Sequence, residues 1–197
     1  MRSTALLLFV GCFGLVACAT APGPRHPSVA TLQTIDFLGR KFVREADTTD
    51  VPVRIYYYYP ANESPEDWLE RIEFKIYPIE PDGANEPLDH ARRAAADFKQ
   101  EYPNMEYALS SDSRAGVVYL DFFYPHSSRK ETGKDFLEFN AFKFFRDKGS
   151  RRTMSFHYLK NIEGMSTYRP MSDVSTEIIN TRLEIQQAMT KLPRYHH

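Results

Sequence analysis

The pattern of apolar and polar positions predicts a chain of β-strands with one helix in the middle and one near the end. Residues 71–77 alternate strictly, with Ile72, Phe74 and Ile76 on one face and charged side chains on the other, as in a strand with one covered face. Residues 117–124 are apolar at nearly every position, which indicates a strand buried on both faces. The predicted strands are residues 35–44, 51–59, 71–77, 105–110, 117–124, 136–145 and 152–160.

Two segments have helical spacing. The first begins at Asn85-Glu86-Pro87, where a capping residue is followed by an acid and a proline in the first turn, and Pro103 ends it. The second begins at Ser172-Asp173. The apolar stripes of the two helices are Leu88, Ala91, Ala95, Phe98 and Tyr102 in the first, and Ile178, Thr181, Ile185, Met189 and Leu192 in the second.

The order of these elements predicts an α+β fold, a mostly antiparallel sheet with two flanking helices, in a single domain over residues 34–197. Over residues 35–192 the element order resembles that of PsbP-like domains. This resemblance implies a curved antiparallel sheet with helices packed beside it.

The first residues of the chain have the composition of a secretory signal. Arg2 precedes a short apolar run, which is below the roughly 20 residues that span a bilayer. The run closes with Leu15-Val16-Ala17-Cys18, which resembles the lipobox of bacterial lipoproteins. The resemblance implies that residues 1–17 are a signal peptide and that Cys18 carries lipid. An ordinary signal peptide, cut near Ala19 or Ala21, is the alternative.

The lipoprotein resemblance also implies where the domain works. Two or three acyl chains on Cys18 hold such a protein stably in the cell envelope. Ala19, in place of Asp, favours the outer membrane, with the domain facing the periplasm. Residues 18–33 are small and proline-rich, which predicts a flexible tether. No later stretch is long and apolar enough for a transmembrane helix.

Charge and cysteine content narrow the classes of function. The formal net charge is −1 at pH 7, so composition gives no case for a nucleic-acid partner. The chain has two cysteines, Cys12 and Cys18. Cys12 would leave with the signal peptide and Cys18 would be capped by lipid. The mature domain is therefore expected to have neither a free thiol nor a disulfide.

The sequence carries no recognised catalytic signature. It lacks a Gly-x-Ser-x-Gly elbow, a His-Glu-x-x-His helix and a Walker loop. Only His90, His126 and His157 fall where a site could form, and solvated surface histidines are the favoured interpretation over a metal centre. We therefore expect a domain that is not an enzyme and needs no cofactor or metal.

Aromatic residues are the more informative signal, with 14 Phe and 12 Tyr. The run from Tyr56 to Tyr59 places two tyrosines on each face of its strand, so one pair can face a partner. The only tryptophan, Trp68, follows a Pro-rich acidic loop. Tyr56, Tyr58 and Trp68 are therefore candidate partner-binding residues. The alternatives are that the tyrosines pack in the core and that Trp68 anchors its loop.

Two hypotheses for function remain. The first is a lipid-anchored envelope protein with a non-enzymatic protein-binding domain of the assembly, accessory or immunity type, whose partner is an envelope or secreted protein. The second is an envelope lipoprotein that binds or processes a small ligand in a pocket between sheet and helix, with tyrosine hydroxyls and His157 as polar groups.

Overall fold

The computed structural model describes residues 27–48, 52–80, 86–129, 134–163 and 171–197. The predicted signal peptide, Cys18 and the first part of the tether lie outside the described residues. The elements are a 3-10 turn Val29–Thr31, strands β1 Thr34–Phe37, β2 Arg40–Thr48, β3 Arg54–Pro60, β4 Glu70–Ile76, helix α1 Pro87–Glu101, strands β5 Tyr107–Asp112, β6 Val117–Arg129, β7 Lys134–Arg146, β8 Thr153–Glu163, and helix α2 Met171–Lys191.

The strands form one eight-stranded sheet in the order β1-β2-β3-β4-β8-β7-β6-β5. Every neighbouring pair is antiparallel. Each half of the sheet is a four-strand meander, and the halves meet where Ile72 of β4 lies opposite Tyr158 of β8 and Phe74 lies opposite Phe156. The prediction of an α+β domain with an antiparallel sheet and two helices is confirmed.

The predicted single strand over residues 35–44 is wrong in one respect, because it is a hairpin of β1 and β2. Leu38 and Gly39 connect these strands with φ values of +52° and +72°. Two successive residues at positive φ are typical of the tight hairpin turn whose twist matches that of the flanking strands. Leucine is unusual at such a position, since positive φ favours glycine and asparagine, and the turn therefore gave no signal in the sequence.

One face of the sheet, here called the α2 face, carries the larger core. Ile185 and Met189 of α2 are 1% and 2% exposed and pack there, as the helical stripe predicts. Phe74 and Phe156 meet edge to face with ring centroids 5.3 Å apart. Each fully buried side chain of this size contributes about 1.5–3 kcal/mol from the transfer of apolar area out of water.

The opposite face, here called the α1 face, is covered by α1 over only part of its width. Pro87 occupies the first turn of α1 after Glu86, and Ala91 and Ala95 are buried against β5 to β8. Small alanines allow the helix to approach the phenylalanines of β6 and β7 closely. The sheet therefore has two covered faces, and β3 and β4 continue beyond the edge of α1. None of the described helices is apolar enough over sufficient length to cross a membrane.

Candidate functional site

Tyr56 and Tyr58, two of the candidate partner-binding residues, lie inside the domain. Their exposed fractions are 2% and 0%. Tyr58 donates its hydroxyl to the carbonyl of Leu32 at 3.0 Å, and the Arg44 guanidinium lies 4.2 Å from the centre of the Tyr56 ring. This corrects the expectation that these two rings face a partner. They belong to the α2 face, which the chain segment around Leu32 covers.

Trp68, the third candidate, is half-buried at the edge of the α1 face. The Arg71 guanidinium lies 4.3 Å from the Trp68 ring centre and 5.6 Å from that of Tyr57. Tyr57 is also half-buried, and Leu69 is 38% exposed. We call Tyr57, Trp68, Leu69 and Arg71 the aromatic–arginine patch. Of the two tyrosines on the other face of β3, Tyr57 is half-buried and Tyr59 is 6% exposed. The alternation of β3 does not reveal which face is covered.

The loop that carries Trp68 is fixed by hydrogen bonds at both ends. Glu63 accepts from the backbone amides of Leu69 at 2.7 Å and Glu70 at 3.1 Å, and it pairs with Arg40 at 2.8 Å. Asn161 donates its side-chain amide to the carbonyl of Trp68 at 3.3 Å. The indole therefore projects from a loop of defined conformation, so little conformational entropy remains to be lost when a partner binds.

A buried charge cluster lies beside the patch on the same face. Glu73 is 3% exposed and pairs with Arg71 at 2.5 Å and with Lys75 at 2.9 Å. These three residues alternate along β4 and therefore share a face. Burial by itself raises the pKa of Glu73, but the hydrogen bond from His157 and the charges of Lys75 and Arg71 outweigh it and hold that pKa well below its usual range. The carboxylate in turn fixes the position of Arg71.

His157 completes this cluster under α1. Its Nδ1 lies 3.1 Å from Oε2 of Glu73, and its Nε2 lies 2.9 Å from Oδ1 of Asn140. The imidazole stacks on Phe142 at a centroid distance of 3.6 Å. Burial lowers the pKa of His157 to about 4, against the opposing effect of Glu73.

The protonation state of His157 follows from the surrounding charge. Two facing oxygens, from Glu73 and Asn140, would both be satisfied by an imidazolium. However, Arg71 and Lys75 already bring two positive charges to the single carboxylate, and a third buried cation is costly. We therefore infer a neutral ring with Nδ1 donating to Glu73. Asn140 keeps its orientation, because its Nδ2 donates to Oε1 of Glu138 at 2.9 Å, so its Oδ1 faces the unprotonated Nε2.

The expectation that the histidines are solvated is wrong for His157 and His90, which are 2% and 5% exposed. His90 stacks on Tyr77 with a centroid distance of 4.3 Å. Both rings are buried because α1 covers the second face of the sheet. The side chain of His126 lies outside the described residues.

A groove of about 490 Å³, here called the α1 groove, separates α1 from the part of β3 and β4 that the helix does not cover. Its floor and walls are mainly apolar, and its charged groups are Lys75 and Arg93 together with Asp97 and Glu101. The apolar side chains and rings that line it are Val53, Ile55, Tyr77, His90, Ala94, Phe98 and Phe142. A volume of this size is in the range of small-molecule sites, about 300–1,000 Å³.

In the described part of the chain, no three His, Cys, Asp or Glu side chains converge where they could hold a metal ion. Comparison of the chain with protein-family models, with curated proteins and with solved structures finds no match.

Proposed function

We propose that this chain is a lipid-anchored protein of the cell envelope whose α+β domain binds a partner protein and catalyses no reaction. The resemblance of Leu15-Val16-Ala17-Cys18 to a lipobox supports an anchor on Cys18, with the domain facing the periplasm from the outer membrane. The partner is another envelope protein or a secreted protein, in an assembly, accessory or immunity role.

The observation that carries the proposal is the aromatic–arginine patch. It brings together Trp, Tyr and Arg, the three residue types most enriched among side chains that dominate binding energy. Arg71 is ordered by Glu73 on one side and by the Trp68 ring on the other. A partner that presents an apolar side chain to Trp68 and Leu69 and an acceptor to Arg71 fits this surface.

The test is capture of the partner by an affinity-tagged chain after cross-linking in cells, with mass spectrometry of the product. Trp68→Ala is compared with Tyr107→Ala, because Tyr107 is an exposed aromatic residue on β5, 43% exposed, outside the patch. Truncation of a dominant contact costs about 2 kcal/mol or more, roughly 30-fold in affinity. We expect recovery of one dominant partner with the unaltered chain and with Tyr107→Ala, and at least tenfold less with Trp68→Ala. Equal recovery from the two variants would contradict the proposal.

The anchor is tested separately with Cys18→Ala. Labelling with radioactive palmitate should mark the unaltered chain and be lost in Cys18→Ala. Label that persists in Cys18→Ala, or never enters the unaltered chain, would refute lipidation at this residue without bearing on the patch.

The second candidate function is the binding of a small amphipathic ligand, and the α1 groove is the observation that favours it. Its apolar lining suits a hydrocarbon or ring, and its charged groups, two cations and two carboxylates, lie where they can meet the polar end of such a ligand. Native mass spectrometry of the purified chain distinguishes the two functions. A small molecule that co-purifies and is lost on Ala94→Trp, which narrows the groove, would favour this candidate over protein binding.

A further inference from the structure

Five cationic side chains converge at the end of the sheet where the β5–β6 and β7–β8 turns lie. Arg114 comes from the first turn, Lys148 and Arg151 from the second, Arg146 from the end of β7, and Arg194 from the segment after α2. They line a cleft of about 590 Å³. We call these five residues and the space between them the basic cleft. This concentration of charge contrasts with the net charge of −1 of the whole chain.

The carboxylates close to the basic cleft already have partners. Asp147, the one acid among its lining residues, accepts from the amides of Gly149 at 3.0 Å and Ser150 at 3.2 Å and is 2% exposed. Glu86 pairs with Arg146, and Asp112 accepts from the amide of Ala115 at 3.0 Å. Arg114, Lys148 and Arg151 have exposed side chains. The five cations outnumber these three carboxylates, so the cleft keeps a net positive charge.

The cations at the back of the basic cleft are held in place by backbone carbonyls. Arg194 donates to the carbonyl of Ala115, and Arg146 donates Nε–H to the carbonyl of Arg151 at 3.2 Å. Guanidinium groups fixed in this way keep further N–H donors for an incoming anion. Phosphate oxygens match that geometry, because they accept two parallel N–H bonds from one guanidinium.

The chain enters the domain beside this cleft. Pro27 accepts a hydrogen bond from the amide of His196 at 3.2 Å, and the amide of Val29 donates to the carbonyl of His196 at 2.8 Å. His196 lines a second cavity, of about 260 Å³, which shares Arg146, Lys148 and Arg194 with the basic cleft. The start of the domain and the basic cleft are therefore at the same end of the molecule.

Chain length sets how far this end can lie from an anchored Cys18. Nine residue steps separate Cys18 from Pro27, and an extended chain spans at most about 3.3–3.6 Å per residue, or about 30 Å in total. A lipid on Cys18 would keep the basic cleft within that distance of the bilayer. Lipid headgroups are then the phosphates present at the highest local concentration.

We propose that the basic cleft binds the phosphate groups of anionic phospholipids in the membrane that holds the anchor. This inference rests on the proposed anchoring through Cys18. Contact between the cleft and the headgroups orients the β5–β6 and β7–β8 turns toward the bilayer. The aromatic–arginine patch lies toward the opposite end of the sheet, because Arg71 of β4 is opposite Leu159 of β8 whereas Ile76 is opposite Met154 beside the β7–β8 turn. The patch therefore stays open to partners.

The experiment measures how the 197-residue chain carrying Cys18→Ser binds vesicles by flotation. Without lipid on residue 18, binding does not depend on the anchor. Vesicles of phosphatidylcholine alone are compared with vesicles that also contain phosphatidylglycerol. The test variant carries Arg114→Gln, Lys148→Gln and Arg151→Gln. The control carries Lys41→Gln, Arg92→Gln and Lys99→Gln, which remove equal charge from exposed positions outside the cleft.

We expect preference for the phosphatidylglycerol vesicles, loss of that preference at high salt, and at least tenfold weaker binding by the test variant. Each cation close to an anionic surface contributes about a fivefold factor, whereas the control triple should change binding less than twofold. Equal binding by the two triple variants, or equal binding to the two vesicle types, would overturn the proposal. Displacement by inorganic phosphate without preference for phosphatidylglycerol would reassign the cleft to a soluble phosphate compound. Palmitate labelling at Cys18 reports on the anchor independently of all these outcomes.

Discussion

The neutral His157 under α1 predicts that the domain loses stability as the solution becomes mildly acidic. The perturbation is a fall in pH from neutral to about 5, combined with His157→Gln, which removes the titrating group. Burial lowers the pKa of His157 from 6.5 to about 4 in the folded protein. Between these values the unfolded chain binds a proton that the folded chain does not, so protonation favours unfolding.

The magnitude follows from the two pKa values. With 6.5 for the unfolded chain and about 4 for the folded domain, His157 lowers the free energy of unfolding by about 2 kcal/mol at about pH 5 relative to neutral pH. Shifting the folded value by one unit changes this figure by only about 0.4 kcal/mol or less. The result is insensitive because, at this pH, it depends mainly on protonation of the unfolded chain.

The assay is urea unfolding followed by circular dichroism across this pH range. The unaltered chain should lose stability on acidification, and His157→Gln should lose about 2 kcal/mol less over the same interval. His90, whose pKa burial and Arg93 also lower to about 4, titrates in both proteins and leaves a residual slope in the variant. Ile72→Val is the matched control. It removes one buried methylene at about 0.5–1.5 kcal/mol, at every pH alike.

One result would refute the reasoning. If His157 were an imidazolium held by Glu73, its folded pKa would lie above 6.5, and stability would be retained at low pH and lost as pH rises through the folded value. The unaltered chain would then gain stability relative to His157→Gln on acidification. A slope identical in the two proteins would equally remove His157 as the cause.

Three further substitutions test particular parts of the fold by the same unfolding measurement. Gly39→Ala should lower the free energy of unfolding by about 1 kcal/mol, because φ at this position is +72°, although the space for a Cβ is open. An unchanged unfolding midpoint would mean that the hairpin turn relaxes. Phe156→Ala should cost about 3–5 kcal/mol, since the ring is fully buried, and a loss below 1 kcal/mol would show that the core collapses around the gap. Asp147→Ala should cost about 1–3 kcal/mol through the turn amides left unpaired, with Asp147→Asn closer to the unaltered chain. Equal losses from the two Asp147 variants would assign the effect to charge.

Periodicity predicted the elements apart from the β1–β2 hairpin, which it gave as one strand, because most strands and both helices show their apolar spacing locally. The sequence could not show how the second face of the sheet is covered. Arg71, Glu73 and Lys75 alternate with Ile72 and Phe74 along β4 and have the pattern of a solvated polar face. In the structure Glu73 is buried, and the flanking cations of its own strand make burial possible by pairing with it. Strand alternation identifies which residues share a face but does not identify the element that packs on it.

The candidate partner residues show the same limit. The run from Tyr56 to Tyr59 correctly implies two tyrosines on each face, and the choice between the faces depends on tertiary packing. Tyr58 is enclosed because its hydroxyl reaches the carbonyl of Leu32, a contact between residues far apart in the sequence. Trp68 stays a prediction: a lone indole after an acidic, proline-containing loop stands out by composition, and the structure places it half-buried beside Arg71.

The basic cleft could be predicted from the sequence only in part. In a meander of antiparallel strands, alternate turns fall at the same end of the sheet. The turns that carry Arg114 and Lys148 are therefore at the same end once the last four strands pair as a meander, as they do in this sheet. The net charge of the chain did not indicate this cluster of cations, because a sum over all residues does not show which charges are close together in the fold. The placement of Arg194 and of Pro27 at the same end depends on the docking of the C-terminal segment against the start of the domain. That docking places the cations and the chain entry together, and under the proposed anchoring through Cys18 this is the end of the domain that would face the membrane.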